Sequence, residues 1–137
     1  MLEEKKLKKK VAYKAYVRAF KMEGGRKQYI STSMMYHGFT SGYKGKYTDA
    51  KSVSVKQPNV SLSAGQTSKI SASIKKVKSK KILIKTSHAP HLRYVSSNNY
   101  IATVDGNGVI TAKSGGTCYV YAVATNGVRA AVAVTVK

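Results

Sequence analysis

The sequence predicts an all-β protein built around a β-sandwich, and three observations support this prediction. Its 137 residues include ten tyrosines and many valines, isoleucines, threonines and serines, whereas leucine and glutamate, which favour helices, are few. Apolar and polar residues alternate along most of the chain, as expected for strands with one buried face. Turn signals recur at short intervals in the second half, a spacing typical of sandwiches and not of parallel β-α-β units.

The first predicted element is a β-hairpin over residues 11–32. In VAYKAYVRAFK, the odd-numbered residues from Val11 to Ala19 share one face, and the glycine pair of the next stretch, MEGGRKQYIST, marks a turn. The following stretch, SMMYHGFTSGYKGKYTDA, is rich in glycine and aromatic residues and is expected to form an irregular loop. A further strand is expected in AKSVSVKQ, and Pro58 is expected to lie in a linker.

The alternation resumes at Val60 and continues to the end of the chain. VSLSAGQTSKISASI predicts two short strands around Gly65, and a lysine-rich stretch follows. The clearest strands are YIATV, GVITA, TCYVYAVA and VRAAVAVTV, separated by the turn signals DGNG, SGG and TNG. In the last two strands the alternation predicts an inward-facing set of small apolar side chains. This set consists of Cys118, Val120, Ala122, Ala124, Ala130, Val132, Val134 and Val136.

The chain carries a strong positive charge. Lysine and arginine number 25 against 5 acidic residues, which gives a formal net charge of +20. A charge of this size attracts polyanions over a Debye length of about 8 Å at physiological salt. Both halves of the chain are basic, so the charge does not belong to a separate nucleic-acid-binding tail.

The sequence contains neither a signal-peptide pattern nor a long apolar run of the kind that crosses a membrane. Membrane insertion is therefore not expected, and an export signal is expected to lie outside this sequence. The one cysteine, Cys118, cannot form an internal disulfide, so stability is expected to come from packing.

The final strands resemble a known family. YVSSNNYIATVDGNGVITAKSGGTCYVYAVATNGVRAAVAVTV, residues 94–136, is similar to the end of a bacterial immunoglobulin-like group 2 domain, with its double serine, ATV, glycine turn, Ala-Lys and two last strands. The family commonly has tryptophan before the double serine, where this chain has Tyr94 and Val95. The stretch from Val60 to Ile74 resembles the family's start. The resemblance covers residues 57–137 and implies an immunoglobulin-like β-sandwich.

Residues 1–56 resemble the tail of a fibronectin type III domain. LKKKVAYKAYVRA is similar to that family's tyrosine-corner strand, and AKSVSV to its last strand. A complete sandwich of this kind needs about seven strands, and this segment supplies three at most. Either the segment belongs to a domain of a longer protein, or it docks on residues 57–137 as an extension. An open half-domain of this kind also predicts a strand-exchanged dimer.

Together the two resemblances are similar to the C-terminal region of large surface proteins of Gram-positive gut bacteria. They imply an extracellular or cell-surface location and neighbouring domains in a longer chain.

No motif supports catalysis, and we predict a protein that is not an enzyme and has no cofactor. DGNG lacks the spacing of a phosphate loop and the oxygen ligands of a calcium loop, and it is typical of a type I′ or related hairpin turn. His88 and His91 have no third metal ligand nearby in sequence, and Cys118 falls in the buried phase of its strand. The acidic residues are scattered: Glu3, Glu4, Glu23, Asp49 and Asp105.

Two sets of side chains are candidates for binding. A lysine run suits an anionic polymer, and tyrosines of the aromatic loop 34–47 suit a glycan, because aromatic rings stack on sugars or bases. The lysines are Lys75, Lys76, Lys78, Lys80, Lys81 and Lys85, and the tyrosines are Tyr36, Tyr43 and Tyr47. Each set has a structural alternative, since lysines on exposed edges prevent strand aggregation and tyrosines can form an aromatic core.

These observations predict a structural or adhesive module of a bacterial surface or secreted protein. It is expected to act as a spacer, or to bind anionic wall polymer, host glycans or another surface protein. One alternative is binding of nucleic acid or another polyanion through the same charge, although the sequence contains no nucleic-acid-binding motif. The other is specific carbohydrate recognition by the aromatic loop 34–47.

Overall fold

The computed structural model describes residues 6–86 and 89–137, and every regular element in these residues is a β-strand. The strands that precede the sandwich are β1 (Ala12–Ala15), β2 (Arg18–Glu23), β3 (Arg26–Thr32), β4 (Tyr36–Phe39) and β5 (Tyr47–Thr48). The others are β6 (Ala50–Val55), β7 (Asn59–Leu62), β8 (Thr67–Lys69), β9 (Ala72–Lys76), β10 (Ile82–Leu83), β11 (Leu92–Ser96), β12 (Ala102–Val104), β13 (Val109–Ala112), β14 (Gly116–Ala124) and β15 (Arg129–Val136). The predicted all-β class is confirmed.

Most of these strands form two layers. One layer is a four-stranded sheet in the order β11-β14-β15-β7, in which β7 runs parallel to β15 and the other neighbours are antiparallel. The other contains β12-β13-β8 and the pair β6-β9. The chain connects its two parts directly through Ile70 and Ser71, between β8 and β9. A bond from Ile70 N–H to the Gly108 carbonyl (2.9 Å) extends the β8-β13 pair to this point, and a bond from Lys56 N–H to the Ser71 carbonyl (3.0 Å) extends the β6-β9 pair. The predicted sandwich is therefore present.

The hydrophobic core lies between these layers. It consists of Ile70, Ala102, Ile110, Ala112, Cys118, Val120, Val132, Val134 and Val136. The inward-facing set predicted for β14 and β15 is confirmed, with Ala130 half-buried and its other members buried. These side chains are small, so the two layers can approach closely, and burial of their apolar surface is the main stabilising contribution.

The DGNG turn between β12 and β13 is held by its own acidic residue. The Asp105 carboxylate accepts hydrogen bonds from the backbone N–H groups of Asn107 and Val109, each at 2.9 Å. Gly108 N–H donates to the Asp105 carbonyl at 3.1 Å, and Gly108 has a φ of +78° while Asn107 does not have a positive φ. The turn is thus a three-residue hairpin loop with its left-handed residue at Gly108, and not a two-residue type I′ turn.

The hairpin predicted over residues 11–32 is only partly correct. β2 and β3 do form a hairpin around Gly24 and Gly25, but β1 pairs with β4 instead of continuing into β2. Every residue of β2 and β3 is exposed, so the predicted half-buried face is wrong there. Alternation of apolar and polar residues predicts a strand, but one face is buried only where a second layer packs on it. In the described chain β2 and β3 form a separate two-stranded sheet, and no residue of either strand is buried.

The expectation of an irregular loop over residues 33–50 is also wrong in part, because it contains β4 and β5. Backbone His37 N–H donates to the Thr125 carbonyl (2.8 Å), and the Asn126 side-chain amide donates to the Ala50 carbonyl (2.9 Å). β5 pairs in parallel with β10. These long-range bonds hold the segment against the β14-β15 turn and the lysine-rich stretch, which supports docking as an extension of the sandwich.

The predicted boundary between residues 56 and 57 falls between β6 and β7. β6 nonetheless pairs antiparallel with β9, on the other side of that boundary. The division into residues 1–56 and 57–137, and the fibronectin type III-like character of the first segment, stay predictions.

Candidate functional site

Three aromatic rings stack where β4 and β5 meet the sandwich. Phe39 lies in the middle, with its ring centroid 4.5 Å from that of Tyr43 and 6.2 Å from that of Tyr47, at interplanar angles of 26° and 12°. A turn after β4, in which Tyr43 N–H donates to the Thr40 carbonyl at 3.2 Å, brings Tyr43 back towards Phe39. The pairing of β5 with β10 fixes Tyr47. We call Phe39, Tyr43 and Tyr47 the aromatic stack.

Lysine ammonium groups lie over both outer rings of the aromatic stack. Lys81 Nζ is 5.5 Å from the Tyr43 centroid and donates to the Tyr43 carbonyl at 3.3 Å, and Lys46 Nζ is 5.3 Å from the Tyr47 centroid. Such contacts contribute about 0.5–1 kcal/mol each at exposed sites. A sugar ring can therefore stack only on a ring face that neither another ring nor a lysine covers.

A small cleft of about 170 Å³ opens beside the stack. The aromatic stack lines it together with Lys78, Lys81 and Asp49, and the remaining lining residues are Thr40, Ser41, Gly42, Thr48 and Val77. Clefts for drug-sized ligands measure roughly 300–1,000 Å³. This one therefore fits a single anionic group or a single sugar residue of a polymer, and not an oligosaccharide.

Asp49 supplies a carboxylate to this cationic cleft. Its Oδ2 accepts a hydrogen bond from Phe39 N–H at 3.1 Å, and its buried Oδ1 has no hydrogen-bond partner in the described residues. Burial raises the pKa of Asp49 above its ordinary value, and the bond from Phe39 N–H offsets part of this effect. The Oδ1 atom is thus a buried acceptor behind the wall of the cleft.

The variant Asp49→Asn tests this carboxylate through the pH dependence of stability. Because the folded pKa is raised above 3.8, the folded state binds more protons than the unfolded state between the two pKa values, so stability falls as pH rises through that window. We expect Asp49→Asn to remove this loss. The free energy of unfolding of the variant should therefore exceed that of the parent by an amount that grows as pH rises and persists at neutral pH. Urea unfolding from pH 3 to pH 7 measures it.

Glu23→Gln is the control, since it removes the same charge from the exposed hairpin. A stability difference between Asp49→Asn and the parent that does not change with pH would contradict the assignment.

The structure brings four of the predicted contact residues together at the cleft: Tyr43, Tyr47, Lys78 and Lys81. Tyr36 does not join them. Its ring lies close to Gly127 and 5.4 Å from the Arg93 guanidinium carbon.

The other predicted lysines lie outside the cleft. Lys76 is half-buried and its Nζ donates to the Lys81 carbonyl, so it supports the chain reversal after β9. Lys75, Lys80 and Lys85 are exposed and do not line the cleft.

Sequence reasoning missed Phe39, Lys46 and the role of Asp49. Phe39 precedes Tyr43 and Tyr47 at regular intervals of four residues. This regular spacing could have indicated that the three rings lie together. In a segment interpreted as an irregular loop, however, sequence spacing does not predict which side chains are neighbours. The role of Lys46 depends on its contact with the Tyr47 ring, and that of Asp49 on the burial of its carboxylate. Only the structure shows these two features.

The remaining chemical candidates lie elsewhere. Cys118 is a free, buried thiol, as the alternation predicted. His91 is exposed, and His88 lies outside the described residues. Within residues 6–86 and 89–137, no three His, Cys, Asp or Glu side chains group together so that they can hold a metal ion. The same residues include no helix with the length and hydrophobicity needed to cross a bilayer.

A comparison with protein families gives a match over most of the sandwich. The model of the bacterial Ig-like domain (group 2) matches residues 49–136, so it begins at Asp49 and includes β6. A search of curated proteins found no match. Domains of this family are structural modules that typically occur in extracellular bacterial proteins and are generally non-catalytic. Because the match covers well over half of the chain, this protein belongs to the bacterial Ig-like domain (group 2) family.

Proposed function

We propose that this chain is an adhesive and spacer module of a bacterial surface or secreted protein, and that it binds an anionic group of a wall polymer or host glycan at the aromatic-lysine cleft. One observation carries the proposal. Tyr43 and Tyr47, selected as glycan contacts, and Lys78 and Lys81, selected as polyanion contacts, line the same cleft although they are more than 30 residues apart in sequence.

The chemistry of the cleft suits an acidic sugar or a phosphorylated polymer unit. The ammonium groups of Lys78 and Lys81 attract the anionic group, and the aromatic stack offers apolar contact to a sugar ring in the same cleft. The net charge of +20 raises the local concentration of any polyanion and speeds its association. Long-range charge therefore brings the polymer to the protein, and the cleft selects one of its units.

The sandwich suits the spacer role. Its two layers enclose a continuous apolar core, and the extension is bonded to it through His37 N–H and the Thr125 carbonyl, so the cleft is held in a fixed position on the module. A fixed cleft presents its ligand groups without an ordering cost at the moment of binding.

The double variant Lys78→Gln/Lys81→Gln tests the cleft. We expect its affinity for purified anionic wall polymer to fall about tenfold at roughly 0.15 M salt, since two short-range charge contacts are lost. The matched control Lys69→Gln/Lys137→Gln removes the same charge from exposed positions outside the cleft, and we expect it to lose about threefold or less. Sedimentation of the protein with insoluble wall polymer, over a salt series, measures both.

Equal losses in the two double variants would show that net charge, and not the cleft, determines binding. A single-stranded oligonucleotide that competes as well as the wall polymer at physiological salt would favour the alternative of nucleic-acid binding. A neutral glycan that binds equally well, with no dependence on salt, would overturn the anionic specificity.

A further inference from the structure

The β2-β3 hairpin carries a concentrated apolar patch. Half of the exposed large hydrophobic side chains of the described residues lie in it or directly before it. They are Tyr16, Val17, Phe20, Met22, Tyr29 and Ile30, with exposed fractions from 42% to 73%. Single exposed apolar residues are common, but a contiguous group of them marks an interaction surface.

One face of the hairpin is organised by cations. The Arg18 guanidinium carbon lies 4.8 Å from the ring centroids of both Tyr16 and Tyr29, and Arg18 also donates a hydrogen bond to the Tyr16 hydroxyl at 2.9 Å. Lys27 Nζ lies 4.6 Å from the centroid of Phe20, whose ring meets that of Tyr29 edge-on at 6.3 Å. The face is thus a preformed row of alternating rings and positive charges.

Both long edges of the hairpin are open in the described chain, because β2 and β3 pair only with each other. A two-stranded hairpin is marginally stable alone, and a third strand stabilises it. The register shifts between Ala19 and Phe20, which leaves Ile30 of β3 as an extra residue, and such a bulge disrupts pairing along that edge. β2 has no extra residue from Arg18 to Glu23, so its backbone N–H and carbonyl groups are regularly spaced. Its outer edge is therefore the better site for pairing with an added strand.

The charge of the hairpin restricts what can bind there. It carries Arg18, Lys21, Arg26 and Lys27 against Glu23, and Glu23 is already paired with Lys21 at 3.2 Å. A second copy of the chain, also with a net charge of +20, is repelled. An anionic polysaccharide satisfies the charge, but it does not extend the backbone ladder of a strand.

An acidic polypeptide matches the apolar side chains, the positive charge and the open strand edge together. We propose that the outer edge of β2 binds an extended acidic segment of a partner protein by strand addition. Backbone groups of the segment pair with β2. Because side chains alternate between the faces of a strand, Phe20 and Met22 share one face and Lys21 lies on the other. The apolar side chains of the segment therefore cover Phe20 and Met22, and its carboxylates face Lys21. This surface is separate from the aromatic-lysine cleft, so the proposal does not depend on glycan binding.

A capped peptide of alternating glutamate and valine is the probe. We expect it to bind the full chain and to slow amide hydrogen exchange in β2, while exchange in β13 and β14 is unchanged. The double variant Phe20→Ser/Met22→Ser should weaken binding about tenfold, because two contacts to apolar side chains on one face of β2 are lost. Tyr100→Ser, which removes a more exposed side chain outside the hairpin, should bind like the parent.

Retained exchange protection of the sandwich amides verifies that both variants fold. Absence of peptide binding, or equal binding by a lysine-valine peptide, would overturn the proposal. Dextran sulfate that displaces the peptide while leaving the β2 amides unprotected would assign the surface to polyanions instead. Self-association of the unliganded chain that protects the β2 amides in sedimentation and exchange experiments would assign it to a second copy.

Discussion

Replacing Ile110 by alanine is expected to lower the free energy of unfolding by about 2–5 kcal/mol. Ile110 is fully buried in β13, and its strand pairs with β12 on one side and β8 on the other. The neighbouring core side chains are held in two sheets and can fill the resulting cavity only partly, so both the lost burial and the cavity contribute. Urea denaturation followed by tyrosine fluorescence measures the loss.

The matched control is Ile82→Ala, which deletes the same atoms from a side chain that is 54% exposed. We expect it to cost less than about 1 kcal/mol, because little apolar surface returns to water. Equal losses in the two variants would contradict the placement of the core between the β12-β13-β8 sheet and the four-stranded sheet.

Gly108→Ala is expected to destabilise the protein by about 2–4 kcal/mol, from left-handed backbone strain and from steric overlap. Gly108 has a φ of +78°, and a Cβ atom there would lie 2.8 Å from Cζ of the Tyr94 ring. Tyr94 packs against the core, and the Gly108 carbonyl accepts the bond from Ile70 N–H that extends the β8-β13 pairing. Thermal unfolding monitored by circular dichroism measures the effect.

Gly106→Ala, two residues earlier in the same turn, is the control. Nothing lies within 4 Å of a Cβ atom at that position, and its φ is outside the left-handed region. We expect a change within about 0.5 kcal/mol. A Gly108→Ala protein as stable as Gly106→Ala would show that the Tyr94 ring does not approach the turn as described.

The sandwich was predictable because its strands carry their own burial pattern. In β14 and β15 each inward position is a small apolar residue, so the period of two identifies both the strand and its buried face. The N-terminal pairing was not predictable in this way. Alternation near Tyr13 is compatible with many partners. The observed partner, β4, lies in a glycine-containing stretch that is held in place by a long-range bond to the Thr125 carbonyl.

The candidate site was predictable by residue type but not by arrangement. Lysines and tyrosines are plausible polymer contacts wherever they are exposed, so the sequence named Lys78, Lys81, Tyr43 and Tyr47 without showing that they meet. Their meeting depends on the parallel pairing of β5 with β10, a two-residue ladder without an alternation signal of its own. The role of Asp49 depends on burial, which the local sequence does not encode.

The parallel pairing of β7 with β15 has a mechanical consequence when the chain is stretched. Asn59–Leu62 and Ala133–Val136 run side by side in the same direction. Tension applied before β7 and after β15 therefore slides the two strands lengthwise past each other. Their hydrogen bonds are loaded together under this shear, whereas peeling would break them one after another. This sandwich is thus arranged to resist stretching when the segments before β7 and after β15 are pulled apart.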